Sequence, residues 1–161
     1  MESTYSISQQ ATIQKVWAIL QGISDPEIPV LSILDLGIVR TVAFDADKNI
    51  IISITPTYSG CPAMDMISIN IRLAMAAEGF KNFELRQTLI PAWTTDWMTE
   101  TGKEKLKAYG IAPPKNGSEN PACPQCKSDD TKLLSQFGST ACKALYQCQD
   151  CREPFDYFKC H

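Results

Sequence analysis

Four cysteines near the C-terminus constrain the fold of this sequence more than any other feature. They form two Cys-x-x-Cys pairs, Cys123 with Cys126 and Cys148 with Cys151, separated by twenty-one residues. Two such pairs place four thiolates within reach of one tetrahedral ion, and a module of about forty residues needs that ion because its core is small. We therefore predict a zinc ribbon over residues 122–161, with structural zinc; an iron centre in the same four-thiolate cage is the alternative.

The other C-terminal metal-binding residue types have no comparable spacing. Cys142 is expected to be buried, with ligation of a second metal as the alternative. Cys160 and His161 follow an aromatic run, Phe155-Asp-Tyr-Phe158, that is expected to cover the small core of the ribbon. A Cys-His end is also able to pass a metal on, so this second role stays open.

The composition limits the classes of protein to which the chain can belong. Its 161 residues are 44% hydrophobic and carry a net charge of −3, so a core is expected and a nucleic-acid or anionic-membrane partner is not. The first residues lack a basic segment followed by an apolar one, and no apolar run is long enough to span a bilayer. Seven cysteines therefore indicate thiolate or metal chemistry in the cytoplasm rather than disulfides.

Apolar periodicity predicts an α+β domain over residues 1–112, with a small mixed sheet and packed helices, and a linker at 113–121. Ser8 is the expected cap of the first helix. A turn at 45–49 is expected to make a hairpin of the first two strands, and a helix then crosses over to a parallel third strand. Helices are expected at residues 8–20, 62–78 and 99–109, and strands at 38–44, 50–55 and 83–90.

The loop between the second strand and the following helix carries the first cysteine, Cys61. The strand stops before Pro56, Gly60 gives backbone freedom, and Cys61 falls at the expected helix cap with Pro62 at the first helical position. The N–H groups and the dipole of the helix stabilise negative charge on the sulfur, so a thiolate there can bind a soft metal or attack an electrophile. Burial under the loop is the alternative.

Several segments resemble a known family. Asp25-Pro-Glu-Ile-Pro29, Asp35-Leu-Gly-Ile-Val39 and Thr55 through Pro62 match the pattern of the small iron–sulfur assembly domain of bacterial cluster-biogenesis and eukaryotic cluster-delivery proteins. Together with three later segments they closely resemble the D subunits of bacterial phenylacetyl-CoA ring-epoxidase systems, over almost the whole chain. The later segments are Pro91-Ala-Trp-Thr-Thr-Asp-Trp-Met98, residues 137–148 and residues 151–160.

The resemblance implies a factor of aerobic phenylacetate degradation that matures or maintains the metal centres of the oxygenase. It implies that Cys61 is the ligand of a transiently held iron ion or iron–sulfur cluster. Asp25 and Glu27 would border the same pocket, with a helix-flanking turn as their structural alternative. Thr55 would orient the loop or only end the strand. Trp93 and Trp97 are expected in the core, with a partner surface as the alternative.

One cysteine cannot hold a cluster alone, so other ligands must come from a homodimeric partner, from the ribbon or from a small thiol. The implied partners are the oxygenase or reductase subunits. The residues themselves disfavour catalysis of the oxygenation, because a single histidine cannot build a paired Glu-x-x-His di-iron site. Two other functions stay open, a structural docking subunit of the oxygenase and an enzyme with Cys61 as its nucleophile, although His161 is the sole histidine available as a base.

Overall fold

A computed structural model describes residues 5–115, 117 and 120–159 of the chain. The α+β class is confirmed, with two compact units, residues 1–93 and residues 94–161. None of the helices in the described part of the chain has the length and apolar character of a transmembrane span. The elements are α1 (Ile7–Gln21), β1 (Val39–Phe44), β2 (Ile50–Ile54), α2 (Ala63–Ala77), β3 (Phe83–Gln87), a 3-10 turn (Thr95–Trp97), α3 (Glu100–Ala108), β4 (Ile111–Ala112), β5 (Thr131–Ser135), β6 (Lys143–Cys148) and β7 (Pro154–Phe158).

The sheet of the first unit has the strand order β1-β2-β3. β1 and β2 form the predicted antiparallel hairpin, and Asp45 holds its turn because Oδ1 accepts the N–H groups of Asp47 (2.9 Å) and Asn49 (2.8 Å). β2 and β3 run parallel, with Ile50 opposite Phe83, and α2 makes the connection between them. The hairpin and the crossover to a parallel strand are therefore both confirmed.

The third strand is shorter than predicted. It ends at Gln87 instead of residue 90, opposite Ile54, which is the last residue of β2. Pro56 has no N–H to donate, so β2 cannot extend the ladder and β3 stops with it. The alternation of apolar residues continues in the sequence beyond Gln87. The apolar side chains there are exposed, however, since Leu89 and Ile90 are 55% and 89% exposed.

The predicted cap of the first helix is wrong by two residues. Ser6, not Ser8, precedes α1, and its hydroxyl accepts the Gln9 N–H at 3.3 Å. The Gln9 side chain in turn accepts the Ser6 N–H at 3.0 Å. This reciprocal pair satisfies two N–H groups of the helix terminus, and only Ser6 has a Gln three residues further on.

Aliphatic side chains make the core of the first unit. The predicted inward face of α2, which consists of Met64, Ile67, Ile71 and Met75, is buried, as are Val16 and Leu20 of α1, which contacts α2. Trp93 is also buried, and its indole N–H donates to the Leu36 carbonyl at 2.8 Å. The core position predicted for Trp93 is confirmed, whereas Trp97, in the second unit, is half-buried.

The sheet of the second unit has the order β4-β7-β6-β5. β5, β6 and β7 are antiparallel, and β4 adds to the edge parallel to β7, with Ile111 opposite Asp156. Since β4 joins this sheet and α3 contacts β4, these elements belong to the second compact unit, which begins at Thr94. The segment expected to be a linker is also attached to the ribbon at its end, where the Thr131 hydroxyl donates to the Pro121 carbonyl at 2.7 Å.

Candidate metal centre

The four ribbon cysteines converge on one point. The Sγ atoms of Cys123 and Cys151 lie 3.7 Å apart, and those of Cys126 and Cys148 lie 3.5 Å apart. All four sulfurs are within 4.8 Å of one another. Zinc–sulfur bonds of about 2.3 Å in a tetrahedron place the sulfurs about 3.8 Å apart, so this donor set fits a tetrahedral thiolate-bound metal.

Two similar turns position the sulfurs. The residue after the second cysteine of each pair has a left-handed backbone, with φ of 66° at Lys127 and 65° at Arg152. The Lys127 N–H donates to the Cys123 carbonyl at 2.9 Å, which closes the first turn. The Ser128 hydroxyl donates to the Asp150 carboxylate and so joins the two turns. We did not predict this bridge, although both residues are short polar residues beside the cysteine pairs.

The thiols differ in acidity in the metal-free protein. The N–H of Cys151 lowers the pKa of Cys148 to about 7, against the effect of burial. The Glu153 N–H lowers the pKa of Cys151, but burial and hydrogen bonds to the other thiols outweigh it and raise that pKa to about 12. The Ser128 N–H likewise lowers the pKa of Cys126, but the Cys148 thiol and burial give a net rise. A metal must therefore displace protons from this site.

The apolar core beside the metal site is small. Cys123 and Cys148 are themselves two of its buried members, together with Ala112 and Phe155. Tyr146 and Tyr157 pack against this cluster, and Phe158 is buried, so the prediction that the aromatic run Phe155–Phe158 covers the ribbon core is confirmed. With so little apolar surface in this cluster, we expect metal ligation to be a main source of stability for the ribbon.

Of the remaining C-terminal candidates, the structure describes Cys142. Cys142 is 4% exposed, as predicted, and its Sγ lies 3.0 Å from the Thr140 hydroxyl. Cys142 is not a member of the four-sulfur group. Cys160 and His161, for which a role in passing on a metal was considered, lie outside the described residues.

Cys61 lies in the loop between β2 and α2 and is half-buried. The helix begins at Ala63, so Pro62 is its cap. The prediction that Cys61 is the cap is therefore wrong by one residue, because Cys61 lies directly before the cap. The Met64 N–H donates to the Cys61 carbonyl at 3.2 Å, a bond of 3-10 type that closes a turn before the regular helix starts. Gly60 beside it has φ of 78°, and a Cβ there would meet no atom within 4 Å, so the backbone conformation favours glycine.

The other residues proposed for the Cys61 site have structural contacts. Asp25 is 6% exposed, and its Oδ1 accepts the N–H groups of Glu27 (2.9 Å) and Ile28 (2.7 Å), which holds the turn after α1. The Thr55 hydroxyl lies 3.0 Å from the Thr88 hydroxyl and joins the ends of β2 and β3. Within the described ranges, the ribbon quartet is the one group of three or more Cys, His, Asp or Glu donors close enough to share an ion, and it includes none of these residues.

Comparison with known proteins agrees with this architecture. Residues 13–79 match the model of an iron-sulfur cluster assembly protein, and residues 112–159 match the PaaD zinc beta ribbon domain. An Escherichia coli (strain K12) protein, provisionally named as the D subunit of 1,2-phenylacetyl-CoA epoxidase, is 52% identical over 92% of this chain and 93% of its own. A Porphyromonas gingivalis Fe-S protein maturation auxiliary factor is 33% identical over 59% of this chain and 90% of its own.

A solved structure has a similar fold over part of this chain. A crystal structure of DUF59, a domain of unknown function from Bacillus anthracis, superposes with a TM-score of 0.58 and 28% identity, covering 63% of this chain and 97% of that one. The 52% identity to the Escherichia coli protein extends through both regions that the family models match. The chain therefore belongs to the family of phenylacetyl-CoA epoxidase D subunits, in which an iron–sulfur cluster assembly domain precedes a zinc beta ribbon.

Proposed function

We propose that this chain is an accessory factor that matures or maintains the phenylacetyl-CoA epoxidase in the cytoplasm. In this proposal Cys61 holds an iron ion or an iron–sulfur cluster as transient cargo, and the ribbon recognises the oxygenase or reductase subunit that receives it. The observation that carries the proposal is the separation of two kinds of cysteine site. Cys61 is a half-buried thiol within the segment that matches cluster assembly proteins, and it stands outside the ribbon quartet.

The ribbon quartet is suited to retaining a metal. Four thiolates complete a tetrahedral shell, so no position is left for exchange, as in structural zinc sites. The residues that would hold the zinc are Cys123, Cys126, Cys148 and Cys151, and the bound ion would supply stability that the small core lacks. The donor set also accepts iron, which is why the metal itself must be measured.

The Cys61 loop is suited to the opposite task. A single thiolate supplies one ligand, so the remaining positions of a bound iron or cluster must be filled by a second chain or a small thiol. Such ligands are exchangeable, and a client with a complete set of its own ligands can displace them. Asp25, Glu27 and Thr55 then contribute by shaping the neighbouring turns, and we retain them as proposed border residues of the cargo site.

A transfer assay tests this function. Wild-type protein and the Cys61→Ser variant are treated anaerobically with iron and sulfide, repurified, and mixed with cluster-free reductase subunit. The wild type is expected to restore the visible absorbance and electron-transfer activity of the reductase, and Cys61→Ser is not. Cys142→Ser is the matched control, since this buried cysteine lies outside both sites, and it should transfer as the wild type does.

The competing function, a structural docking subunit, makes a different prediction. A docking subunit would copurify with the oxygenase in fixed stoichiometry, and epoxidase activity in cells would not depend on Cys61. Equal transfer by wild type and Cys61→Ser would therefore contradict the carrier proposal.

A further inference from the structure

The ribbon unit contains a pocket of about 530 Å³, and the described residues that line it include no ribbon cysteine. Its floor consists of Leu133 from β5, Ala144 and Tyr146 from β6, and Tyr157 from β7. Leu133 pairs with Tyr146 and Ala144 pairs with Tyr157, so these side chains project from one face of the sheet. The volume is within the range of about 300–1,000 Å³ that small-molecule sites occupy.

Two tyrosines give this floor a specific shape. The ring centroids of Tyr146 and Tyr157 are 5.6 Å apart and their planes meet at 84°. Tyr146 also stacks on Phe155, with centroids 6.0 Å apart, which fixes its orientation. Next to them Ala144 contributes only a methyl group. A planar ring that enters this corner can stack on one tyrosine and meet the edge of the other, the two arrangements that aromatic pairs prefer.

Three charged side chains are among the described residues that line the pocket, and we call them its rim. They are Lys115, Lys159 and Asp96. The Lys159 ammonium donates to the Gln136 carbonyl at 2.7 Å and lies 4.3 Å from the centroid of the Phe137 ring, so it is held at the rim. A ligand carboxylate would make a charge-assisted hydrogen bond with this ammonium, which is stronger than the bond to a carbonyl.

The other cation is tied to the pocket wall. The backbone N–H of Lys115 donates to the Tyr157 hydroxyl at 3.4 Å, and its ammonium lies 3.9 Å from Asp129. The Lys115 backbone therefore lies beside the hydroxyl end of Tyr157, while its ammonium is shared with a carboxylate.

We infer that this pocket binds an aromatic carboxylate, with its ring in the Tyr146–Tyr157 corner and its carboxylate at Lys159. That chemistry has two sources, a free arylacetic acid or the C-terminal aromatic residue of a partner protein. The inference is independent of cargo carriage, because the pocket uses neither Cys61 nor the ribbon quartet, whereas a partner's chain terminus as ligand rests on the proposed recognition of the client by the ribbon. Loss of one therefore does not imply loss of the other.

The test titrates the zinc-loaded full chain with phenylacetate and, separately, with an N-acetylated peptide that ends in phenylalanine. Calorimetry measures affinity, and amide NMR shifts locate the site. We expect shifts at Tyr146 and Tyr157, and binding weakened about tenfold or more in Lys159→Ala, which removes a charge-assisted contact. Tighter binding of phenylacetate assigns a free acid, and tighter binding of the peptide assigns a chain terminus.

Controls separate this site from non-specific anion binding. Lys132→Ala removes an exposed lysine of β5 that does not line the pocket, and it should bind as the wild type does. Ala144→Leu fills the corner and should abolish binding while both rim lysines remain; zinc content reports whether each variant is folded. Absence of binding by both probes, equal binding of uncharged phenylacetamide, or equal loss in Lys132→Ala and Lys159→Ala would overturn the inference.

Discussion

The two units of this chain are stabilised by different means. In residues 1–93 the interior consists of aliphatic side chains such as Ile52, Ile67 and Ile71, which α2 and the sheet bury completely. In the ribbon unit, half of the small core cluster is made of metal-binding cysteines, Cys123 and Cys148. The first unit can therefore be expected to fold on apolar burial alone, whereas the second depends on an ion.

The largest expected effect comes from removing the ribbon metal. A chelator, or the Cys148→Ser substitution, should abolish the tertiary structure of the ribbon, because structural zinc in small modules contributes about 10–16 kcal/mol. Amide NMR spectra should lose dispersion for residues 120–159 and keep it for the first unit. Unchanged ribbon spectra after complete metal removal would contradict the proposed difference in stabilisation between the two units.

Acidification should release the metal through the same site. The raised pKa values of Cys126 and Cys151 mean that binding displaces at least their two protons at neutral pH. Affinity should then fall by at least about a hundredfold for each unit decrease in pH, and more steeply below pH 7, where Cys148, with a pKa of about 7, also holds a proton. Competition with a chromophoric chelator between pH 8 and pH 5 measures the slope; a slope of zero would contradict the thiolate site.

Core truncation in the first unit should have a moderate effect. Ile71→Ala removes a fully buried side chain of α2 and should lower the free energy of unfolding of this unit by about 2–5 kcal/mol, without changing zinc content. Leu73→Ala, on the same helix but 65% exposed, is the matched control and should change it by less than about 0.5 kcal/mol. Denaturant titration measures the free energy of unfolding of both variants.

Substitutions of Asp25 distinguish a structural role in the turn after α1 from a role at the proposed cargo site. Asp25→Ala leaves the N–H groups of Glu27 and Ile28 without their acceptor and should cost about 1–3 kcal/mol. Asp25→Asn keeps an oxygen at Oδ1 and should recover most of this stability. If both variants are stable but fail to transfer cargo, the carboxylate acts at the Cys61 site and the turn is secondary.

The smallest effect concerns the start of α1. Ser6→Ala should lower stability by about 1 kcal/mol, since it removes the acceptor for the Gln9 N–H, and Ser8→Ala should change it by only a few tenths. Thermal unfolding of the two variants is sufficient. Equal effects would mean that the reciprocal bonds between Ser6 and Gln9 do not stabilise the helix end.

Features that depend on short sequence separations could be predicted. The hairpin turn follows from Asp45 and Asn49, which bond to each other across four residues, and the buried face of α2 follows from its helical periodicity. The metal quartet joins two distant segments of the chain, but each of its cysteine pairs is itself a short-range pattern. The spacing of the two pairs predicts that they meet, because four thiolates so arranged can share one tetrahedral ion.

Features that depend on a partner far away in the sequence could not be predicted. β4 joins the ribbon sheet through β7, more than forty residues later, so nothing around Ile111 indicates that it belongs to the second unit. The end of β3 is set by the length of β2, and the cap of α1 by Gln9 instead of by the serine nearest the apolar pattern. The ribbon pocket was missed for the same reason, because Tyr146 and Tyr157 are adjacent only across paired strands.

The most direct test of the two-site account measures metal and sulfide in wild type and Cys61→Ser, both produced anaerobically with an iron–sulfur assembly system. The account predicts about one zinc per chain in both proteins, held by the ribbon quartet, and iron with or without acid-labile sulfide in the wild type alone. Zinc alone in both proteins would contradict carriage by Cys61. Iron that is unaffected by the substitution would place the labile metal at the ribbon cysteines instead.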